Sequence, residues 1–312
     1  YTLQNPICAM CDRRFHGTGT TCSWCLAHYP HLTSPTFLLN KSTRKVGIEI
    51  EFITSSYLES RWGHLKSDGS IRPDNESLDY CDDCDSDCQC DCSCHSNGEH
   101  GSEFASFPLV GDQIHSCLDE LLTVLREDHA YVNDSCGLHI HIDASTITPL
   151  GITRISNWWR LYEHIFFSCI HRNRVTNTYC NPCSEISDTC WSNDRYYALN
   201  KTALNKFGTL EFRLHHGTLD QIEIFDWIKL LLAFVETHKD FPLDDTELPT
   251  YANLSDRQLL IIMFNQMNLP LSLRKAIVKR ILRHNSITTF ARTIPLRKWS
   301  GLSLDLRKDQ NV

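Results

Sequence analysis

Apolar and polar residues alternate through Val46 to Thr54, the two-residue period of a β-strand. Successive strand side chains point to opposite faces, so Ile48 and Ile50 share one side while Glu49 and Glu51 share the other. The same period at Leu138 to Asp143 sets His139 beside His141, and at Leu210 to Leu214 it sets Glu211 beside Arg213. Glu103 to Phe107 reads as a further strand, and the turn Asp68-Gly69-Ser70-Ile71 is expected to enter another. Helical spacing appears from Gly111 to Asp128, with Ile114, Leu118, Leu121, Leu122 and Leu125 on one face. A long helix is predicted over Ile152 to His171, its Trp158 and Trp159 serving as core. Three more follow: Asp220 to Lys239, Ser255 to Asn268 with a serine N-cap, and Ser272 to His284. Strands separated by helices, with hairpin-like spacing in places, predict an α+β fold: a mainly antiparallel curved sheet with helices on one side.

With 312 residues, 41% of them apolar, the chain is long enough for one large domain with small appendages. Neither a secretion signal nor an apolar run of spanning length is visible, so a cytoplasmic protein without membrane association is expected. A net charge of −8, spread along the chain, argues against a general nucleic-acid binder. Basic residues gather from Arg274 to Lys298, but they interleave with apolar positions and predict a solvated helix face.

Sixteen cysteines change the picture. In a chain this long with no secretion signal, Cys-x-x-Cys pairs point to metal rather than disulfides. Cys8, Cys11, Cys22 and Cys25 have the paired-knuckle spacing of a tetrahedral zinc site, which would organise a segment too short to fold on its own core. Cys81, Cys84, Cys88, Cys90, Cys92 and Cys94 are interleaved with aspartates, and a subset of them is expected to hold Zn2+, with His95 or His100 as substitutes. Cys180, Cys183 and Cys190 are a weaker candidate group. Cys117, Cys136 and Cys169 fall in apolar patterns and read as core.

Acidic and histidine pairs on strand faces need a counterpart that justifies so much charge in one place. Magnesium with nucleotide phosphates meets that need, because carboxylates neutralise the metal and the metal neutralises phosphate oxygens. Taken singly, His139 and His141 are equally compatible with core histidines or with ligands of a zinc hydrolase. Glu211 and Arg213 also have a structural rival, an ion pair, although neighbours two apart on a strand lack ideal geometry for it.

The order of motifs is informative. Gly-Ile-Glu-Ile-Glu-Phe, Asp-Gly-Ser, Glu103 before Ser106-Phe107-Pro108-Leu109, Cys-Gly-Leu-His-Ile-His, Arg195-Tyr-Tyr-Ala-Leu-Asn200 and Thr-Leu-Glu-Phe-Arg-Leu-His-His-Gly-Thr-Leu-Asp occur in that sequence. From about residue 45 to about residue 240 the chain resembles the amidoligase family of the carboxylate-amine ligase superfamily, which includes glutamine synthetase and glutamate-cysteine ligase.

The resemblance implies a glutamine-synthetase-like catalytic domain over residues 45–250 that holds ATP and Mg2+ on the concave face of its sheet. Glu49, His139 and Glu211 would bind one metal, and Glu51 and Glu103 another. His141 and Arg213 would face phosphate, and Arg195 and Asn200 would contact phosphate or substrate. The general base is left open among Asp68, Asp220 and His215. Around this domain, the expected organisation is a zinc ribbon or knuckle over residues 1–30, a linker over 31–44, a zinc-binding insert over 74–100 and a helical extension over 251–312.

The chemistry so implied is formation of an amide or isopeptide bond from a carboxylate and an amine through an acyl phosphate. The acceptors remain open among amino acids, peptides, polyamines, proteins and modified nucleobases. Two rival functions are a metal-dependent hydrolase using the same histidines and glutamates, and a zinc-module adaptor carrying an inactive ligase fold.

Overall fold

The computed structural model describes residues 42–74, 99–183, 195–243, 251 and 254–284. Its strands are β1 (Val46–Thr54), β2 (Gly63–Ser67), β3 (His100–Ser106), β4 (Gly137–Asp143), β5 (Leu199–Asn200) and β6 (Thr209–His216). They form one sheet in the order β2-β3-β1-β4-β6-β5, and every neighbouring pair is antiparallel. The four strands that carry the acidic and histidine motifs are therefore contiguous. The cysteine groups Cys8 to Cys25 and Cys81 to Cys94, with His95 and Cys190, lie outside the described residues.

Alternation fixes which side of the sheet meets the helices. Ile48, Ile50, Phe52, Ile140 and Phe212 enter a core shared with the apolar faces of α1 (Asp112–Glu127), α2 (Pro149–Ser168) and α4 (Gln221–His238). Each of these side chains, fully buried, contributes roughly 1.5–3 kcal/mol. Trp158 and Trp159 are buried as expected, and their indole N–H groups donate to the Phe241 carbonyl at 3.1 Å and to Glu163 at 2.8 Å. The short α3 (Thr202–Phe207) precedes β6. Two more helices, α5 (Asp256–Gln266) and α6 (Leu271–His284), join the same core through Met263 and Ile277. Ser255 caps α5 with a full capping box closed by Gln258. No helix among the described residues is long and apolar enough to cross a membrane.

Two sequence expectations are corrected here. The turn at Asp68 to Ile71 does not enter a strand; it follows one, since β2 runs from Gly63 to Ser67 and pairs with β3. The basic residues of α6 are not all solvated either. Arg274 is buried and its guanidinium donates to the Leu269 and Phe264 carbonyls and to Asn265, satisfying groups at the C-terminus of α5. Arg280 is buried against Glu223 and Asp226 of α4.

The neck of the connection between β2 and β3 is tied by one side chain. The Tyr131 hydroxyl donates to Glu99 at 2.9 Å and accepts the Asp74 backbone N–H at 3.3 Å.

His238 on α4 is wholly buried against Trp158 and Tyr162, donates from Nδ1 to the Phe234 carbonyl and lies 3.2 Å from the Gln266 amide. Burial lowers its pKa to about 4. The unfolded chain takes up a proton on this histidine near pH 6.5 and the folded chain does not, so stability present above pH 6.5 is lost as pH falls toward 4. The expected slope from this group is about 1.4 kcal/mol per pH unit. Urea melts between pH 7 and 4.5 should show that slope reduced in His238→Gln; an equal slope in both proteins would place the acid sensitivity elsewhere.

Candidate active site

The face opposite the helices collects the charged members of the alternation. Across the sheet, Glu51 pairs with Glu103, Glu49 with His139, and His141 with Glu211. Register thus converts four separate sequence motifs into one patch, because antiparallel partners point to the same side.

Two donor groups result. Glu49, His139 and Glu211 each bring an atom within 4.8 Å of the others, and so do Glu51, Asp68 and Glu103. His139 links the two: Nδ1 lies 3.0 Å from Glu49 Oε2 and 3.9 Å from Glu211 Oε1, while Nε2 lies 3.6 Å from Glu51 Oε1. His141 sits at the edge of the first group. Its Nδ1 is held by Thr209 Oγ1 at 2.9 Å, and its Nε2 is 3.2 Å from Glu49 Oε1 and 3.8 Å from Glu211 Oε1. That Nε2 is buried and, despite its closeness to Glu49, is out of line for a hydrogen bond.

The electrostatics follow from crowding. Burial would raise the Glu49 carboxyl, but the imidazoles of His139, hydrogen-bonded to it, and of His141, 3.2 Å away, hold it well below the usual carboxylate range. Burial pushes Glu103 up, Glu49 pushes it further, and Lys66, whose Nζ lies 2.9 Å away, opposes both. Burial lowers the His141 pKa, yet Glu49 and Glu211 outweigh it and leave the imidazole above its ordinary value.

Gly137 allows the two groups to approach. Its N–H donates to Glu51 Oε2 at 2.6 Å, and a Cβ placed there would lie 2.9 Å from Arg174 Nη2, 3.1 Å from His139 Nε2 and 3.2 Å from Glu51 Oε2. Only glycine fits without displacing a donor.

The remaining predicted residues fall into place unevenly. Arg213 bonds Glu211 and, through Nε, the Tyr179 carbonyl at 3.3 Å, so the strand neighbours do form the ion pair that their spacing argued against. Asn200 is buried with its amide engaged inside the protein: Nδ2 donates to Glu211 Oε2 at 2.6 Å, and Oδ1 accepts from the Thr202 N–H and hydroxyl. It positions Glu211. Arg195 is exposed, stacked over Tyr196, and close enough to feel Glu211 and Asp68; the bond to the Tyr196 hydroxyl raises its pKa.

Two of the three general-base candidates are otherwise engaged. Asp220 is the N-cap of α4, accepting from the Ile222 and Glu223 N–H groups. His215 is turned away from the acidic face, because a register shift between β4 and β6 near Leu138 points it at Trp227 among the helices. Asp68 stays on the acidic face within the second donor group.

Cys117, Cys136, Cys169, Cys180 and Cys183 are all buried free thiols. The weaker cysteine group gains no support: burial pushes the Cys180 thiol up, and Cys180 and Cys183 join the core rather than any metal-donor cluster among the described residues.

Sequence reasoning missed Lys66, because β2 was not recognised, and Arg174. Arg174 is buried beside Gly137, donates to the Arg213 carbonyl at 2.9 Å, and has no hydrogen-bond partner for Nε. Nothing in its local pattern signals this position. A cleft of about 380 Å3 near Arg44, Asp143 and Lys239 contains none of these donors.

The donor sets fit divalent cations. Glu51, Asp68 and Glu103 supply only oxygen, which suits Mg2+, while the imidazole in the first group also admits Mn2+. Glu49, Glu51, Glu103 and Glu211 crowd onto one face beside Lys66 and Arg213, and the negative charge gathered there, which with burial pushes Glu103 up, is what a cation would satisfy.

No curated protein matches the chain. A family model described as "Putative amidoligase enzyme" matches residues 42–187 and 173–235, more than half of the chain and the whole of the acidic face. The sheet that gathers these carboxylates and histidines is thus the matched region itself, and the chain belongs to the amidoligase family.

Proposed function

We propose that this chain is an ATP-dependent ligase that joins a carboxylate to an amine through an acyl phosphate. The observation that carries the reading is the pair of adjacent donor groups bridged by His139 on one sheet face, within a member of the amidoligase family. Glu49, His139 and Glu211 would hold one Mg2+, with His141 at its edge, and Glu51, Asp68 and Glu103 a second. Bound there, the metals would neutralise phosphate charge and polarise the transferring phosphoryl group. A glutamine-synthetase-like arrangement of the sheet around this face belongs to the same reading.

Phosphoryl transfer asks little covalent chemistry of a protein and much alignment. Asn200 and Arg213 fix the Glu211 carboxylate, Thr209 fixes the His141 ring, and the Gly137 N–H fixes Glu51. Arg195, exposed beside the patch, and Lys66, on Glu103, are the cations placed to meet phosphate or the acceptor carboxylate. The carboxylate oxygen attacks the γ-phosphorus and ADP leaves. The amine then attacks the carbonyl carbon, the C–O bond to phosphate breaks, and the amine gives up a proton. The Cys8 to Cys25 group and a subset of Cys81 to Cys94 remain proposed zinc sites on their spacing.

Heavy oxygen in the acceptor carboxylate tests the route. With pooled carboxylates and amines, ADP should form and the label should appear in inorganic phosphate. Label in AMP would replace the acyl phosphate with an adenylate, and turnover without ATP would favour a metal-dependent hydrolase.

A further inference from the structure

On the helical side of the sheet, at the end of β6, His215, His216 and Glu223 each bring a donor atom within 4.8 Å of the others. None of them belongs to the acidic face. His215 Nε2 and Glu223 Oε1 lie 3.8 Å apart, both buried and both without a hydrogen-bond partner. His215 is fully buried and Glu223 is 8% exposed. A third atom of this kind, His284 Nε2, belongs to a ring 5.4 Å from that of His216. Native proteins leave few buried polar atoms unsatisfied, and a group of them converging on one place calls for an occupant.

The tautomer of His215 indicates which occupant. Its Nδ1 donates to the His216 carbonyl at 2.7 Å, which leaves the lone pair on Nε2, facing Glu223. A histidine anchored through one nitrogen to a backbone carbonyl, with the other nitrogen bare, is the arrangement that orients metal-bound imidazoles. Burial keeps His215, His216 and His284 well below their ordinary pKa, so all three are neutral near pH 7, the form that ligates.

We propose that His215, His216 and Glu223, with His284 beside them as the fourth donor, form a site for a transition-metal ion, zinc being the best match. Imidazole with one carboxylate in four-coordinate geometry suits zinc, and the absence of a carboxylate-rich shell disfavours magnesium. The cations facing the group are Arg280, Arg174 and Arg283, the last acting on Glu223 and His284. Arg280 Nε is 3.9 Å from Glu223 Oε1, but its guanidinium also meets Asp226 and the Glu223 carbonyl, while Arg174 donates to the Arg213 carbonyl. Without metal, His216 Nδ1 accepts the His171 N–H at 3.1 Å, so the His216 proton sits on Nε2. Metal on that nitrogen moves the proton to Nδ1 and releases the His171 amide.

The site joins the end of β6, the first turn of α4 and the end of α6. Glu211 and Arg213 precede it on the same strand, so the ion acts as a clasp behind the acidic face. The proposal does not depend on the ligase reading.

Cadmium NMR of the full chain, stripped with chelator and reloaded with Cd2+ in excess Mg2+, tests it. A resonance typical of nitrogen and oxygen ligands, apart from thiolate-bound cadmium, should appear at one equivalent per chain. It should survive Glu49→Gln and vanish in Glu223→Gln and His215→Asn, with the metal-free variants still melting cooperatively. Should either lose its cooperative melt, His216→Gln, at a partly exposed ring, replaces it. No such resonance, its loss in Glu49→Gln, or its survival in the variants of this site overturns the proposal.

Discussion

Glu49→Gln should lower turnover by about a thousandfold while leaving the fold intact, the scale at which removing one preorganised electrostatic contact acts on a transition state. Glu49 lies 3.0 Å from His139 and 3.2 Å from His141, closer to both than Glu211 does. The amide keeps its shape but carries no charge, so both histidines lose the anion they face, and the first donor group loses one of its two anions. Nucleotide binding reports the same change independently of turnover. Saturating ATP with Mg2+, at about 100 times its dissociation constant, should stabilise the wild type by about 2.7 kcal/mol. The variant should lose most of that gain and keep its unliganded melting temperature within a few degrees. An unchanged nucleotide-induced shift would move the nucleotide off this face.

Gly137→Ala should be nearly as damaging, for a steric reason. The added methyl would stand 3.1 Å from His139 Nε2 and 3.2 Å from Glu51 Oε2, with Arg174 Nη2 nearer still at 2.9 Å. These contacts are too short, so the bridging imidazole or the Glu51 carboxylate must move by a fraction of an ångström. Displacements approaching 1 Å at a reacting centre cost roughly a hundredfold in rate. Overpacking of this kind costs about 1–3 kcal/mol in stability, so the variant should still fold. Wild-type turnover in Gly137→Ala would show that the contact between the two donor groups is not needed.

The strand faces were legible because a period of two leaves no ambiguity about which residues travel together. Glu49 with Glu51, His139 with His141 and Glu211 with Arg213 all emerged on the expected side. The grouping of Glu49 with His139 and Glu211, and of Glu51 with Glu103, came from the resemblance rather than from the alternation, and the register brings those same residues together. Asp68 as third member of the second group was not foreseen, since the turn was placed before a strand. β2 escaped notice because Gly63-His-Leu-Lys-Ser offers one apolar side chain and no alternation to count. His215 was misread for a different reason: an irregularity in strand pairing shifts parity, and nothing in the sequence announces it. Arg274 and Arg280 show the limit of helical periodicity, which assigns a face but not what packs against it.

The Tyr131 neck has a consequence for how this protein varies. Asp74 and Glu99 are pinned to one phenol, which holds the end of the β2 segment beside the start of the β3 segment. The distance from Asp68 to Glu103 is then set by the pairing of β2 with β3 and by that tie. Shortening or lengthening the stretch 75–98 is therefore expected to leave the spacing of these carboxylates unchanged.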